Sequence, residues 1–185
     1  MRHCWHAITM LCLAAVPAAA QQTPPAQPYA GQQDRAVTSL SAADVKDLLA
    51  GHGWGLAKPA EFNGYPGPAH VLELAKELQL TESQRSWIEK AFERMQLRAK
   101  SIGARYVSAE RALDDVFRSG KADAGRLQTR LRDAERLRAE LRRVHLAAHL
   151  EVTPLLSHEQ RKKYAELRGY GAGGNASEQH HRAQH

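Results

Sequence analysis

Cysteine is almost absent from this sequence. Only Cys4 and Cys12 occur among 185 residues, so the chain from residue 13 onward can form no disulfide and no thiolate site. Long hydrophobic runs are absent too, because the mostly apolar stretch 7–19 is shorter than the roughly 20 residues that cross a bilayer. No segment alternates polar and apolar residues as a half-buried strand does, so a β-sheet is not expected.

The first twenty residues are predicted to be a secretory signal peptide. Arg2 and His3 form a polar start, an apolar stretch follows, and residues 18–20 are the small residues of a cleavage site. Cleavage after Ala20 would remove both cysteines. The alternative is an uncleaved interfacial anchor. The net charge of +6 on an exported chain favours acidic or unfolded protein surfaces, or anionic lipid, over nucleic acid as partners.

Composition divides the remainder of the chain. Residues 21–40 are rich in Gln, Pro and Ala and are predicted to be a flexible linker. Residues 41–68 begin with a short helical pattern and continue as a Gly/Pro-rich segment. The four large apolar residues of that segment predict that it packs on the helices, with an exposed binding loop as the alternative. Residues 170–185 are predicted to be a disordered, His-rich tail.

Residues 69–169 carry helical patterns. Apolar residues recur at alternating steps of four and three from Ile88 to Val116, and a similar pattern runs from Leu127 to Ala148. Because only a short break near Gly120 separates these segments, they must fold back as an antiparallel hairpin. The predicted fold is all-α, a long antiparallel helical hairpin with short flanking helices.

One pentapeptide pattern occurs twice. Leu-Thr-x-x-Gln is followed much later by Leu-Ser-x-x-Gln, and each copy stands where a helix is expected to begin. The hydroxyl residue can cap the helix while the Gln reaches back to the cap, which is a capping box. Two long helices return the chain to its starting end, so the two copies could contact each other. The motif residues are Leu80, Thr81, Gln84, Leu156, Ser157 and Gln160.

This repeated motif on a small exported helical chain resembles the Spy/CpxP group of LTxxQ-motif periplasmic proteins. That group includes ATP-independent chaperones, envelope-stress modulators and heavy-metal sensor or resistance proteins. The resemblance, over about residues 68–170, implies a periplasmic, Spy/CpxP-like protein that forms a homodimer and has no membrane span after cleavage. The segment before Pro68 is not part of the resembled pattern.

The leading function is binding of unfolded or acidic client proteins, as a chaperone or stress accessory, with a membrane signalling partner as a further option. The basic residues of the second long helix are predicted to form the client-binding surface. The alternative is that they form only a solvated helix face. Acidic residues placed four positions before a base are sparse there, which favours a partner surface. The residues with this predicted role are arginines of the second long helix: Arg126, Arg130, Arg132, Arg136, Arg138, Arg142 and Arg143.

The alternative function is heavy-metal sensing or resistance. His145 and His149 lie one helical turn apart and could bind Zn, Ni, Co or Cu, although no cofactor is required. The remaining candidate ligands, placed near them by the hairpin, are His70, Glu89, Glu93 and Met95. The histidines could instead lie at a partner interface, and those of the tail could be a loose metal scavenger.

No enzymatic activity is predicted. The two histidines have the spacing of the H-E-x-x-H zinc hydrolases, but Leu146 stands where the general base should be. The sequence also has no nucleophile elbow, P-loop or Cys–His arrangement.

Overall fold

The computed structural model describes residues 27–170, and every regular element within them is helical. The predicted signal peptide and most of the predicted His-rich tail lie outside the described residues. The elements are α1 (Ala42–Ala50), α2 (Lys58–Glu61), α3 (Pro68–Glu73), α4 (Glu82–Arg118), α5 (Ala124–Val152), a 3-10 turn (Thr153–Leu155) and α6 (His158–Leu167). Helices α4 and α5 pack antiparallel along their lengths, which confirms the predicted all-α hairpin.

The hairpin turn has a local cause. Ser119 ends α4, and Gly120 follows with a φ of +66°, a left-handed conformation that glycine adopts without strain. Asp123 then caps α5 by accepting a 2.9 Å hydrogen bond from the backbone N–H of Arg126. These signals reverse the chain within a few residues.

Two clusters of buried residues form the core. The first lies along the middle of the hairpin, and its members are Val37, Leu40, Leu48, Leu56, Ala99, Ile102, Tyr106, Val107, Ala134, Leu137, Leu141 and Val144. The second lies at the base, where α3 and α6 meet the hairpin, and its members are Val71, Leu78, Ile88, Ala91, Val152, Leu156 and Tyr164. The apolar seam predicted from the sequence is therefore buried at the base and middle.

At the tip of the hairpin the seam is not buried. Leu127 and Leu131 are 39% and 46% exposed, and Phe117 is 56% exposed. Leu127 and Leu131 belong to the apolar pattern and Phe117 follows its last position in α4, Val116, but the described flanking helices cover none of the three. In α5 the apolar pattern is thus buried only from Ala134 onward.

Packing begins before residue 41. Val37 and Leu40 are buried in the hairpin core, the backbone N–H of Thr38 donates to Asp114 at 2.7 Å, and the Ser39 hydroxyl donates to Glu110 at 2.6 Å. The predicted flexible linker thus extends too far, because these two apolar residues anchor the segment to α4.

Residues 27–31 belong to a separate unit and contain a turn in which Ala30 N–H donates to the Gln27 carbonyl.

The Gly/Pro-rich segment packs on the helices through Leu56, which is buried, and Trp54, which is partly buried, whereas Phe62 and Tyr65, which were also expected to pack, are 59% and 41% exposed. Gly51 ends α1 in the left-handed conformation, and the short helix α2, which the composition does not indicate, follows. Leu56, Ala60 and Glu61 are buried. Among the described residues, no helix combines the length and the apolar character that a bilayer crossing requires.

Candidate functional site

Both pentapeptide motifs form complete capping boxes. Thr81 accepts a 3.2 Å hydrogen bond from the backbone N–H of Gln84, whose side-chain oxygen accepts a 3.0 Å bond from the backbone N–H of Thr81. Ser157 and Gln160 repeat this arrangement at 3.1 and 2.9 Å. The first motif starts α4 and the second starts α6.

The two glutamines also bind each other at the base of the hairpin. The amide nitrogen of Gln84 lies 2.9 Å from the side-chain oxygen of Gln160, and the reverse contact measures 3.0 Å. Each amide also donates across the base to a backbone carbonyl, that of Leu155 at 2.7 Å and that of Leu78 at 3.2 Å. The repeated motif therefore caps two helices and joins them. We call this contact the glutamine pair.

A cavity of about 600 Å³, hereafter the base cavity, lies between the hairpin and the segment 51–68. Helices α4 and α5 contribute Phe92, Met95, Gln96, His145 and His149. Helix α3 contributes His70 and Glu73, and the chain after α6 contributes Arg168 and Tyr170. The segment 51–68 closes the cavity with Trp54, Lys58, Glu61 and Phe62, among others.

Glu61 is a buried carboxylate with partners from three other parts of the fold. Its Oε1 accepts a 2.5 Å hydrogen bond from the Tyr164 hydroxyl and lies 3.3 Å from His70 Nδ1 and 3.4 Å from Arg168 Nε. Burial alone would raise the pKa of Glu61, but the hydrogen bonds of His70 and Tyr164 and the charges of His70 and His149 lower it overall. Glu61 thus stays ionised and joins α2 to the other helices.

His145 and His149 both lie on the face of α5 that lines the cavity, and both are buried. His149 Nδ1 is 2.6 Å from the Tyr65 carbonyl, so this nitrogen carries a proton and donates it to that carbonyl. Gly67 packs against the same ring, where an added Cβ would lie 2.7 Å from it.

His145 is held neutral. Burial, and secondarily the nearby His149, lower the pKa of His145 to about 4. Its Nε2 is buried and has no hydrogen-bond partner within residues 27–170.

The structure brings together some of the predicted metal ligands. His70, His145, His149 and Met95 all line the base cavity. Glu89 and Glu93 do not line it: Glu89 pairs with Arg85 on α4, and Glu93 is exposed to solvent. These two positions face away because helical spacing turns them from the hairpin seam.

Within residues 27–170 no three His, Cys, Asp or Glu side chains are grouped to hold a metal ion. The cavity does hold two charged residues that local sequence patterns do not reveal. Glu61 and Arg168 are 107 residues apart, so no spacing rule connects them.

The predicted client-binding arginines occupy several sides of α5. Arg130 and Arg136 line a shallow groove with Arg105 of α4, whereas Arg138 and Arg142 line another with Trp54 and Lys58. Three have partners within one turn, since Arg126 pairs with Asp123, Arg136 with Glu140 and Arg138 with Glu135. None of the three pairs has the acid four residues before the base, the spacing predicted to be sparse: two pairs are three residues apart, and in the pair Arg136–Glu140 the base comes first. Arg130, Arg132, Arg142 and Arg143 make no ion pair in the described part of the chain.

Comparison with known proteins supports the interpretation of the motif. A sequence model described as "LTXXQ motif family protein" matches residues 69–168, which is more than half of the 185 residues. No curated protein and no solved structure matches the chain. The matched range contains both pentapeptide motifs, α3 without its first residue, and α4 to α6, but not the segment 51–68.

Proposed function

The chain belongs to the LTXXQ motif family, and from this membership we propose that it is a periplasmic binding protein for unfolded or acidic protein segments. In this role it acts as an ATP-independent chaperone or as an envelope-stress accessory, and its action is binding and not catalysis. The predicted secretory signal accounts for the compartment.

The observation that carries the proposal is the surface of α5. Arg130, Arg132 and Arg143 are exposed and make no ion pair within residues 27–170, and near the tip Leu127 and Leu131 are partly exposed. A client that exposes acidic and apolar residues is complementary to this combination. Arginine charges would accelerate encounter, and apolar contact at the tip would retain the client.

The test is suppression of aggregation. A reduced, unfolded acidic protein is allowed to aggregate with increasing amounts of the full chain, and light scattering is followed at low and high salt. We expect suppression at stoichiometric ratios, weaker at 0.5 M salt, because exposed charges are then screened. No suppression at any ratio would refute the proposal.

Charge-reversal variants test whether clients bind to the surface of α5. Arg132→Glu combined with Arg143→Glu should raise the concentration needed for suppression by about tenfold at low salt and by much less at high salt, because two unpaired cations become anions. Lys162→Glu combined with Lys163→Glu makes the same charge change on α6. If both double variants lose suppression of aggregation to the same extent, the cause is the net charge of the protein and not the surface of α5.

A second candidate function is binding of Zn, Ni, Co or Cu, and it is favoured by the two buried imidazoles of α5. His145 and His149 lie one turn apart in one cavity with His70 and Met95. If a metal binds there, the side chain of His70 or Met95 has to rotate to provide a third ligand. The neutral imidazole of His145 has a lone pair that can bind the metal.

Calorimetric titration of the four metals tests this candidate. The full chain is compared with His145→Ala/His149→Ala and with a variant in which His180, His181 and His185 are alanine. Tight, stoichiometric binding that is lost only in the first variant would support the α5 site. Binding lost only in the second would assign it to the tail and refute the α5 site.

A further inference from the structure

The base cavity has a wall that lies outside the family match. The match begins at residue 69, but Trp54, Lys58, Glu61 and Phe62 of the preceding segment line the cavity. Glu61 anchors this wall to α3 and α6 through His70, Tyr164 and Arg168. A volume of about 600 Å³ lies within the range of small-molecule sites. One wall of the cavity thus lies outside the range that the family model matches.

Aromatic rings form much of its lining. Trp54 and Phe62 stand on the segment 51–68, Phe92 on α4 and Tyr170 beyond α6. Two of these rings are held by other contacts: Trp54 donates to Asp44 at 2.8 Å, and Phe62 meets Tyr170 edge to face with centroids 5.3 Å apart. Aromatic rings around a cavity favour a flat, apolar occupant, and Phe62, which is 59% exposed, forms the outer part of this lining.

The polar groups of the lining favour an uncharged occupant with a hydrogen-bond donor. Glu61 and Arg168 form an ion pair and thereby neutralise each other, although Glu61 Oε2 is buried without a hydrogen-bond partner, and the opposite charges of Lys58 and Glu73 are both exposed. His149 donates from Nδ1 to Tyr65, and in a neutral imidazole with that proton position Nε2 is the acceptor. A donor on the occupant would complete the hydrogen bonding of this imidazole.

We propose that the base cavity binds a small, flat, uncharged aromatic molecule with one O–H or N–H donor, of the phenol or indole class. The ring lies among the four aromatic side chains, and the donor bonds to His149 Nε2. This ligand site is independent of the binding of protein clients on α5.

Tryptophan resonances provide the test. The full chain is labelled with ¹⁵N, and phenol or indole is titrated in while the indole N–H signals are followed, assigned by Trp54→Phe and Trp87→Phe. Trp54 lines the cavity, whereas Trp87 is 57% exposed elsewhere on α4. We expect a saturable shift of the Trp54 signal and an unchanged Trp87 signal. No shift up to the solubility limit, or equal shifts of both signals, would overturn the proposal.

Ligand and protein variants test the chemistry. Phenol should bind at least tenfold more tightly than benzoate or benzylammonium, which carry a charge. His149→Phe should weaken phenol about tenfold and toluene, which has no donor, by less than threefold. Gln96→Phe should block both, since it fills the cavity from a partly exposed position and keeps His149. Tighter binding of a charged analogue, or unchanged phenol binding in Gln96→Phe with a native melting curve, would refute the assignment.

Discussion

The side-chain amides of Gln84 and Gln160 exchange hydrogen bonds of 2.9 and 3.0 Å across 76 residues of sequence. Each amide serves three partners, because it also closes its own capping box and donates to a carbonyl across the base. The repeated pentapeptide thus determines both where two helices start and that these starts meet.

Alanine substitution of either glutamine should destabilise the protein substantially. Gln84→Ala and Gln160→Ala should each lower the free energy of unfolding by about 2 kcal/mol, because a cap is weakened and partly buried polar groups lose their partners. The double variant should cost about 1 kcal/mol less than the sum, since the shared bonds are lost only once. Urea denaturation measures all three values.

Gln128→Ala is the control for that cycle, because Gln128 is exposed on α5. It should change stability by less than about 0.5 kcal/mol. Strict additivity of the two glutamine substitutions would show that the pair contributes nothing beyond its caps.

Replacing the buried carboxylate should loosen the segment 51–68. Glu61→Gln removes the charge that faces His70 and Arg168, so we expect a loss of about 2 kcal/mol at pH 7 and faster hydrogen exchange in residues 52–66. Folding lowers the pKa of Glu61. The stabilisation by its ionised carboxylate is therefore present above the pKa of the unfolded chain, near 4.5, and is lost as the pH falls through the lower pKa of the folded protein. Glu73→Gln, an exposed change in the same cavity, should alter neither measurement. Unchanged exchange in Glu61→Gln would contradict the anchoring role.

His145 should make the metal-free protein sensitive to mild acid. Its pKa is about 4 when folded and 6.5 when unfolded, so below pH 6.5 only the unfolded chain takes up the proton. Relative to His145→Leu, the wild type should lose about 3 kcal/mol of stability between pH 7.5 and pH 4, with chelator present. The cavity groups Glu61, His70 and His149 are common to both proteins. Parallel stability curves would show that His145 titrates normally.

Gly103 should tolerate no side chain. A Cβ there would lie 2.2 Å from the backbone oxygen of Leu48, so α1 would have to move away from α4. We expect Gly103→Ala to cost about 3 kcal/mol, at the upper end of overpacking effects. Gly125→Ala, where the nearest atom is 3.4 Å away, should leave the melting temperature unchanged or slightly raised. Equal stability of the two variants would mean that α1 does not press on Gly103.

Local patterns predicted the elements whose causes are local. The four-three periodicity, the break near Gly120 and the two hydroxyl–glutamine motifs are each contained within a few turns of helix, and they led to the hairpin and its caps. Burial of Val37 and Leu40 was missed because two apolar residues in a polar stretch give no periodic signal. Their burial depends on α4, about 60 to 70 residues away.

The candidate site was predicted in part for the same reason. His145 and His149 share a face by helical spacing, so their proximity followed from the sequence. Glu61 and Arg168 meet only in the folded chain, and no local rule relates them. Glu89 and Glu93 were assigned by proximity along α4, which ignores the direction in which a helical side chain points.

The hairpin is closed at both ends. The short turn at Gly120 joins α4 to α5 at the tip, and the glutamine pair joins the starts of α4 and α6 at the base. The two helices therefore form a closed frame, and the 29 residues of α5 make it roughly 40 Å long. Because α4 and α5 cannot separate unless one of these junctions breaks, the arginines along α5 keep a fixed spacing.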